Sequence, residues 1–202
     1  MSTKPRLFFF LFLLLTCQAF AQTDSVGHAG GKIRYWNNFL LGGLRGDHKE
    51  VFFSFATTHG IRLGRLAVGL GAGLDAYGDW KVIPMFASAS FDFARIKNDA
   101  LFIQMNGGYG RAVYTGEDRM GVPAGIENGG GKMFNPMLGY RIKADRFRIY
   151  VALGYKFQRN KYTYDYNFPE VFAPDGTPYE YPKYSVLEDM QRFVVQMGFG
   201  WH

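Results

Sequence analysis

Cysteine is all but missing: Cys17 is the single one in 202 residues, and it falls within the N-terminal segment. If that segment is removed, the remaining chain has no disulfide, no thiol nucleophile and no cysteine-bound metal. Histidine is scarce as well, with four scattered residues, and "DAYGD" at Asp75 lacks the spaced oxygen ligands of a calcium loop. Neither a metal nor another cofactor is therefore expected. After residue 21 no long apolar run occurs, which excludes a membrane-spanning helix of about 20 residues. Runs of like charge are absent too: 23 Lys+Arg against 17 Asp+Glu give a formal +6, but the charges are dispersed and form no nucleic-acid-binding stripe.

The N-terminus reads as an export signal. Lys4 and Arg6 form a basic start, Leu7 to Leu15 an apolar core, and Ala19-Phe20-Ala21 a cleavage site, so residues 1–21 are set apart from the fold and 22–202 form one domain. Lipidation at Cys17 is the competing reading. Its "LLTC" context carries a bulky threonine where a small residue is usual.

The rest of the chain is rich in glycine (26) and aromatics (18%), and it alternates. In "FRIYVALGYKF" the residues Phe147, Ile149, Val151, Leu153, Tyr155 and Phe157 share one face, while Arg148, Tyr150, Ala152, Gly154 and Lys156 share the other. Period two over about eleven residues is the length of a tilted membrane-spanning strand, about twice the globular mean. Seven further segments alternate: 33–41, 51–58, 66–74, 83–93, 101–109, 134–142 and 191–201. Connections at "IRLGR", "RIKND" and "KADR" are short. Those at "RGDHKE", "DAYGDWK", 111–132 and 160–189 are longer. An even number of strands, with short turns on one rim and long loops on the other, predicts an all-β, eight-stranded, up-and-down antiparallel transmembrane barrel with strands from about 31 to 201. Pro84 and Pro136 are expected near the start of descending strands, because proline in mid-sheet removes a ladder bond.

Alternation alone is shared with soluble ligand-binding barrels. Small residues crowd the polar faces (Gly69, Gly71, Gly73, Ala152, Gly198), the strands are long, and aromatics such as Tyr35, Tyr109, Tyr140 and Trp201 sit near the ends of the apolar face. These favour lipid outside and a packed polar lumen inside. The glycines of "RLAVGLGAGLDAYGDW" at 69, 71 and 73 all fall on the polar face with no helix after them. They predict room for a bulky lumen neighbour such as Trp36 or Phe102 rather than a phosphate cradle.

With its alternating strands and closing "RFVVQMGFGW", the chain resembles the small eight-stranded outer-membrane barrels of Gram-negative bacteria, the OmpX/OmpA-like class, over nearly all of residues 30–202. The resemblance implies an outer-membrane location, contact with lipid and lipopolysaccharide, and recognition by the barrel-insertion machinery through a terminal aromatic. Here His202 stands last, leaving Phe199 and Trp201 to serve.

A barrel of eight strands is filled by its own side chains. Arg34, Asp92, Arg141, Arg148, Lys156 and Arg192 are expected to form a polar lumen cluster that acts as a plug, with a narrow anion-preferring pore as the alternative. No catalytic residue is assigned and the chain is not expected to be an enzyme. The nearest constellation, His48, Glu50 and Ser54, is spread along about 20 Å of extended chain, too far for proton transfer, and His59 belongs at the opposite rim. A lipid A-modifying enzyme is the runner-up, and a secretion-accessory barrel would look the same. The last long loop holds Tyr162, Tyr164, Tyr166, Tyr179, Tyr181 and Tyr184, either cross-strand pairs or an adhesive surface for an extracellular protein or glycan.

Overall fold

The computed structural model describes residues 33–46, 50–116, 123–144, 146–166 and 183–201. Among them are eight strands: β1 (Ile33–Arg45), β2 (Val51–Leu63), β3 (Leu66–Tyr77), β4 (Trp80–Ile96), β5 (Asp99–Tyr114), β6 (Pro123–Ala144), β7 (Phe147–Tyr166) and β8 (Tyr184–Trp201). Each pairs antiparallel with the next, and β1 closes on β8 from Phe39↔Phe199 to Arg45↔Phe193, which shuts the sheet into a barrel. Ile33, Trp201 and the turns after β2, β4 and β6 mark the terminal rim; the opposite, distal rim carries the other connections.

The faces follow the alternation in the sequence. Leu70, Met85, Leu138, Leu153 and Met197 are exposed on the outer wall, while Asn38, Ser54, Gln104, Asn106 and Gln196 are buried inside. An apolar exterior around a polar interior inverts the water-soluble arrangement and suits lipid as the surrounding solvent.

β1, β2, β3 and β7 start where the alternation starts, β4 and β5 a few residues earlier, and β6 and β8 well before it. β6, β7 and β8 reach 22, 20 and 18 residues against 12 or 13 for β1 to β3, so one side of the wall rises above the other at the distal rim. "DAYGDWK" is not a long loop: Tyr77 pairs with Trp80 around Gly78, whose φ of 63° is the left-handed conformation glycine allows. Asp75 thereby joins β3 instead of a loop.

The proline expectation holds for one residue only. Pro84 is near the start of β4, but Pro136 lies well inside β6. The sheet tolerates it by omission: the β6–β7 ladder passes from Phe134↔Phe157 to Met137↔Gly154, so Pro136 has no partner on that side. Asn37, out of place on an apolar face, is buried. Its Oδ1 accepts from Trp201 N at 2.8 Å where the β1–β8 ladder has run out, a side chain substituting for a backbone rung at the closing seam.

The glycine run makes room, but for a different ring. A Cβ on Gly71 would collide with Phe86, which seats over β3; Phe102 instead sits over Gly139, where a Cβ would meet its ring edge. Two apolar clusters fill the lumen. Leu44, Tyr77, Trp80, Val82, Ala112, Met190 and Val194 plug the distal half, and Leu40, Phe102, Met137, Tyr150 and Ala152 lie nearer the terminal rim.

Candidate functional site

Buried ionic chemistry among the described residues occupies two levels of the lumen. At the upper level, towards the distal rim, Lys156 on β7 pairs across the barrel with Asp75 on β3. The other oxygen of Asp75 accepts from Ser54 Oγ at 2.6 Å, and Gln196 Nε2 donates to that hydroxyl at 3.0 Å. All four are buried, so charge and partner are removed from water together. Beside the second apolar cluster, Asn38 Nδ2 donates to Gln104 Oε1 at 3.3 Å and Gln104 Nε2 to Asn106 Oδ1 at 3.0 Å.

The lower level opens at the terminal rim. Asp92 is buried, and its Oδ2 accepts from Arg62 Nη1 at 2.8 Å and from Arg141, with Arg95 at 3.8 Å. A bulge between Asp92 and Ala94 interrupts the β4–β5 register, and Asp92 N donates to Arg65 O at 2.9 Å in the β2–β3 turn. Arg62 lies 6.0 Å over the ring of Trp36. Around this group is a cavity of about 380 Å³ lined by five arginines (34, 62, 95, 141, 148), two lysines (97, 143) and two carboxylates, Asp92 and Asp99. Asp99 is committed elsewhere: Tyr140 Oη donates to it at 2.8 Å and Lys143 N at 3.0 Å. Those two bonds, the backbone one first, hold its carboxyl below the ordinary value.

The six expected lumen residues thus divide into three groups. Asp92 and Arg141 are directly paired, with Arg34 and Arg148 lining the same cavity. Lys156 belongs to the upper level, and Arg192 stands near the distal plug, 5.9 Å over Tyr77. Asp75, Arg62 and Ser54, the partners that complete both levels, are not among the expected six. The parity of β2 and β3, carried a few residues further, reaches them: Arg62 shares the face of Ser54 and Thr58, and Asp75 that of Gly71 and Gly73.

Ser54 of the His48, Glu50 and Ser54 grouping is shut inside the lumen on Asp75 and Gln196, and His48 lies outside the described residues. His59 is not at the rim but on the outer wall. Tyr35 Oη lies 2.5 Å from its Nδ1, Thr57 Oγ1 lies 2.9 Å from its Nε2, and Phe39 meets the ring edge-on. Both ring nitrogens are thereby satisfied on the outer wall. Of the six tyrosines, Tyr162, Tyr164 and Tyr184 form a chain of ring contacts rising from Trp80 of the distal plug, with centroids 4.7 Å (Trp80–Tyr162), 6.3 Å (Tyr162–Tyr164) and 5.8 Å (Tyr164–Tyr184) apart. The side chain of Tyr166, and Tyr179 and Tyr181 entirely, lie outside the described residues.

No family model and no curated protein matches the chain. Solved structures do. The crystal structure of Neisserial surface protein A (NspA) aligns over 86% of this chain and 99% of its own, with a TM-score of 0.54 at 11% identity. That of the outer membrane protein OprG from Pseudomonas aeruginosa aligns over 88% and 98%, with a TM-score of 0.54 at 15% identity. The fold is that of the small eight-stranded outer-membrane barrels. At these identities the likeness is one of strand number, closure and order, and the polar levels of the lumen are described from this chain alone.

Proposed function

We propose that the chain is a non-enzymatic outer-membrane barrel with a closed lumen, working through its outer surfaces as a structural and surface-interaction protein. The observation that carries this reading is the filled interior. Two levels of buried ion pairs cross the lumen, and apolar clusters occupy the space above and between them. The apolar exterior supports a lipid environment, and with both ends of the barrel at the terminal rim, that rim faces the periplasm and the raised β6–β8 wall faces outward.

Two exterior features then have partners of stated chemistry. Above the aromatic positions Tyr109, Phe134 and Phe157, the outer wall carries exposed Lys81, Arg111, Lys132 and Lys161 at neighbouring register, suited to lipopolysaccharide phosphates. A groove of about 670 Å³ lies beside them, lined by Phe134 and Phe157 with Lys132, Arg159, Asp189 and Gln191. The raised wall, with its chain of tyrosine rings and the connection of residues 167–182 that joins β7 to β8, is the surface for an extracellular protein or glycan. Insertion into the membrane uses Phe199 and Trp201, which stack with each other and with Phe39 on the outer wall.

The test has two arms. Purified protein in planar bilayers is expected to add no discrete conductance; regular openings would overturn the closed lumen. Cells displaying the protein are expected to gain adhesion that deletion of residues 167–179 removes while heat-modifiable migration of the barrel persists. Adhesion unchanged by the deletion would overturn the assignment of the contact surface.

A further inference from the structure

The cavity at the terminal rim is rich in cations. Asp92 is shared by Arg62 and Arg141, and Asp99 spends its oxygens on Tyr140 and a backbone amide. Seven cationic side chains line the space, and the two carboxylates that line it among the described residues are both already engaged. Packing does not require this excess: the upper level of the same lumen is closed by one lysine on one aspartate.

Two of the guanidinia have unused donors. Arg62 Nη2 and Arg141 Nη1 are buried without a hydrogen-bond partner, and both residues line the cavity, with 10% and 4% of their side chains exposed. A buried cationic donor left unpaired is costly unless an anion completes it. Lys97, whose φ of 55° is what the two-residue hairpin turn between Ile96 and Asp99 demands, also lines the cavity.

We infer that this cavity is a binding site for a phosphate-type dianion, a phosphomonoester or diphosphate group entering from the terminal rim. Phosphate suits it better than a simple carboxylate. Guanidinium forks bond phosphate oxygens in pairs, and several of them around one point favour an anion that concentrates more than one negative charge. The volume, about 380 Å³, is at the small end of ligand pockets and accommodates such a group with a short attached fragment. At the base of the cavity, where Arg62, Arg141 and Ala100 are buried, the lower local dielectric strengthens each contact. Arg62 and Arg141 form the fixed base of the site through Asp92, and Arg34 and Lys97 at its mouth close over the anion. That the mouth faces the periplasm rests on the outer-membrane reading; the binding does not.

The full chain, folded in zwitterionic micelles, is titrated with inorganic pyrophosphate by calorimetry. Saturable binding at one site per barrel is expected, weakening as salt is raised. The double variant Arg34→Gln/Lys97→Gln removes exposed cations at the mouth and leaves the Asp92 pairs intact; it is expected to weaken binding about tenfold, a loss of about 1.4 kcal/mol. Lys81→Gln/Arg111→Gln, at the other rim, is expected to leave it unchanged. Absence of saturable binding, or equal loss in both double variants, would overturn the site. A second titration in micelles doped with phosphatidic acid, a lipid phosphomonoester, separates the sources: competition with pyrophosphate assigns the site to a lipid headgroup, and its absence to a soluble phosphorylated molecule. Failure of the conductance or adhesion tests would leave these results untouched.

Discussion

Asp75 holds the buried Lys156 from the opposite wall of the barrel and Asp92 gathers the buried Arg62 and Arg141 from β2 and β6, and that makes both aspartates brittle. Asp75→Asn keeps the shape but leaves the Lys156 ammonium buried with no counter-charge, which by the usual cost of breaking a buried pair removes about 3–5 kcal/mol. Adding Lys156→Met removes the stranded charge. The double variant is expected to recover part of the loss, since a buried pair replaced by apolar groups is often near neutral. Urea unfolding of the unaltered protein, Asp75→Asn, Lys156→Met and the double variant in a lipid-like medium measures this; additive losses would mean that Lys156 does not depend on Asp75. Gly71 tests the other half of lumen packing. A side chain there meets Phe86 and the backbone oxygen of Thr57 at 2.6 Å, so Gly71→Leu is expected to lower stability by about 1–3 kcal/mol or to block folding outright. Normal folding yield and an unshifted unfolding midpoint would contradict the seating of Phe86 over β3.

At the scale of elements, the raised β6–β8 wall is the part that stands clear of lipid, and its surface electrostatics are open to direct titration. Asp189 on β8 pairs with Arg159 on β7 in a two-pronged contact, Nε at 2.8 Å and Nη2 at 3.1 Å, above Phe157 of β7 and the Phe193 to Phe199 apolar face of β8. The guanidinium hydrogen bond holds the Asp189 carboxyl below its ordinary value. A carboxyl depressed in the folded state contributes stability above its unfolded pKa and loses that contribution as pH falls through the folded one. The expected readout is an Asp189 titration midpoint below that of an ordinary aspartate, returning to the ordinary range in Arg159→Gln. Both residues are about half exposed, so the fold as a whole is expected to tolerate the variant. How much of each element is legible in the sequence depends on what alternation records. Where one face is all apolar, as in Phe147 to Phe157, period two marks the strand without ambiguity. It breaks at Thr57 and His59, polar residues on the outer face that satisfy each other, so Arg62 reads as part of a turn. It breaks again at "DAYGDWK", where a glycine and two aspartates read as a loop although only Gly78 and Asp79 turn, and Asp75 is hidden with them. Pairing across the lumen has no signature in a single strand: that Asp92 meets Arg62 and Arg141, but not Lys156, depends on register around the closed sheet.

For the whole molecule, the distribution of charge matters more than its formal sum of +6. Many of the cations fall on two belts, one inside the terminal rim and one outside the wall below the distal rim, separated by an apolar band. The outer belt, Lys81, Arg111, Lys132 and Lys161, is exposed and lies where strands leave the aromatic positions Tyr109 and Phe134. Each lysine or arginine near an anionic surface contributes about 1 kcal/mol, screened by salt. The variant Lys81→Gln/Arg111→Gln/Lys132→Gln/Lys161→Gln is therefore expected to bind lipopolysaccharide at least about tenfold more weakly at low salt. The difference from the unaltered protein is expected to shrink as salt rises, because added ions screen the exposed charges in both. Arg159 is left in place because it already serves Asp189. None of the four replaced side chains faces the lumen, so heat-modifiable migration is expected to be unchanged, which separates loss of the belt from loss of the barrel. Lipopolysaccharide binding equal to that of the unaltered protein at every salt concentration would remove the belt from the contact with lipid and leave the apolar band alone to hold the barrel in its membrane.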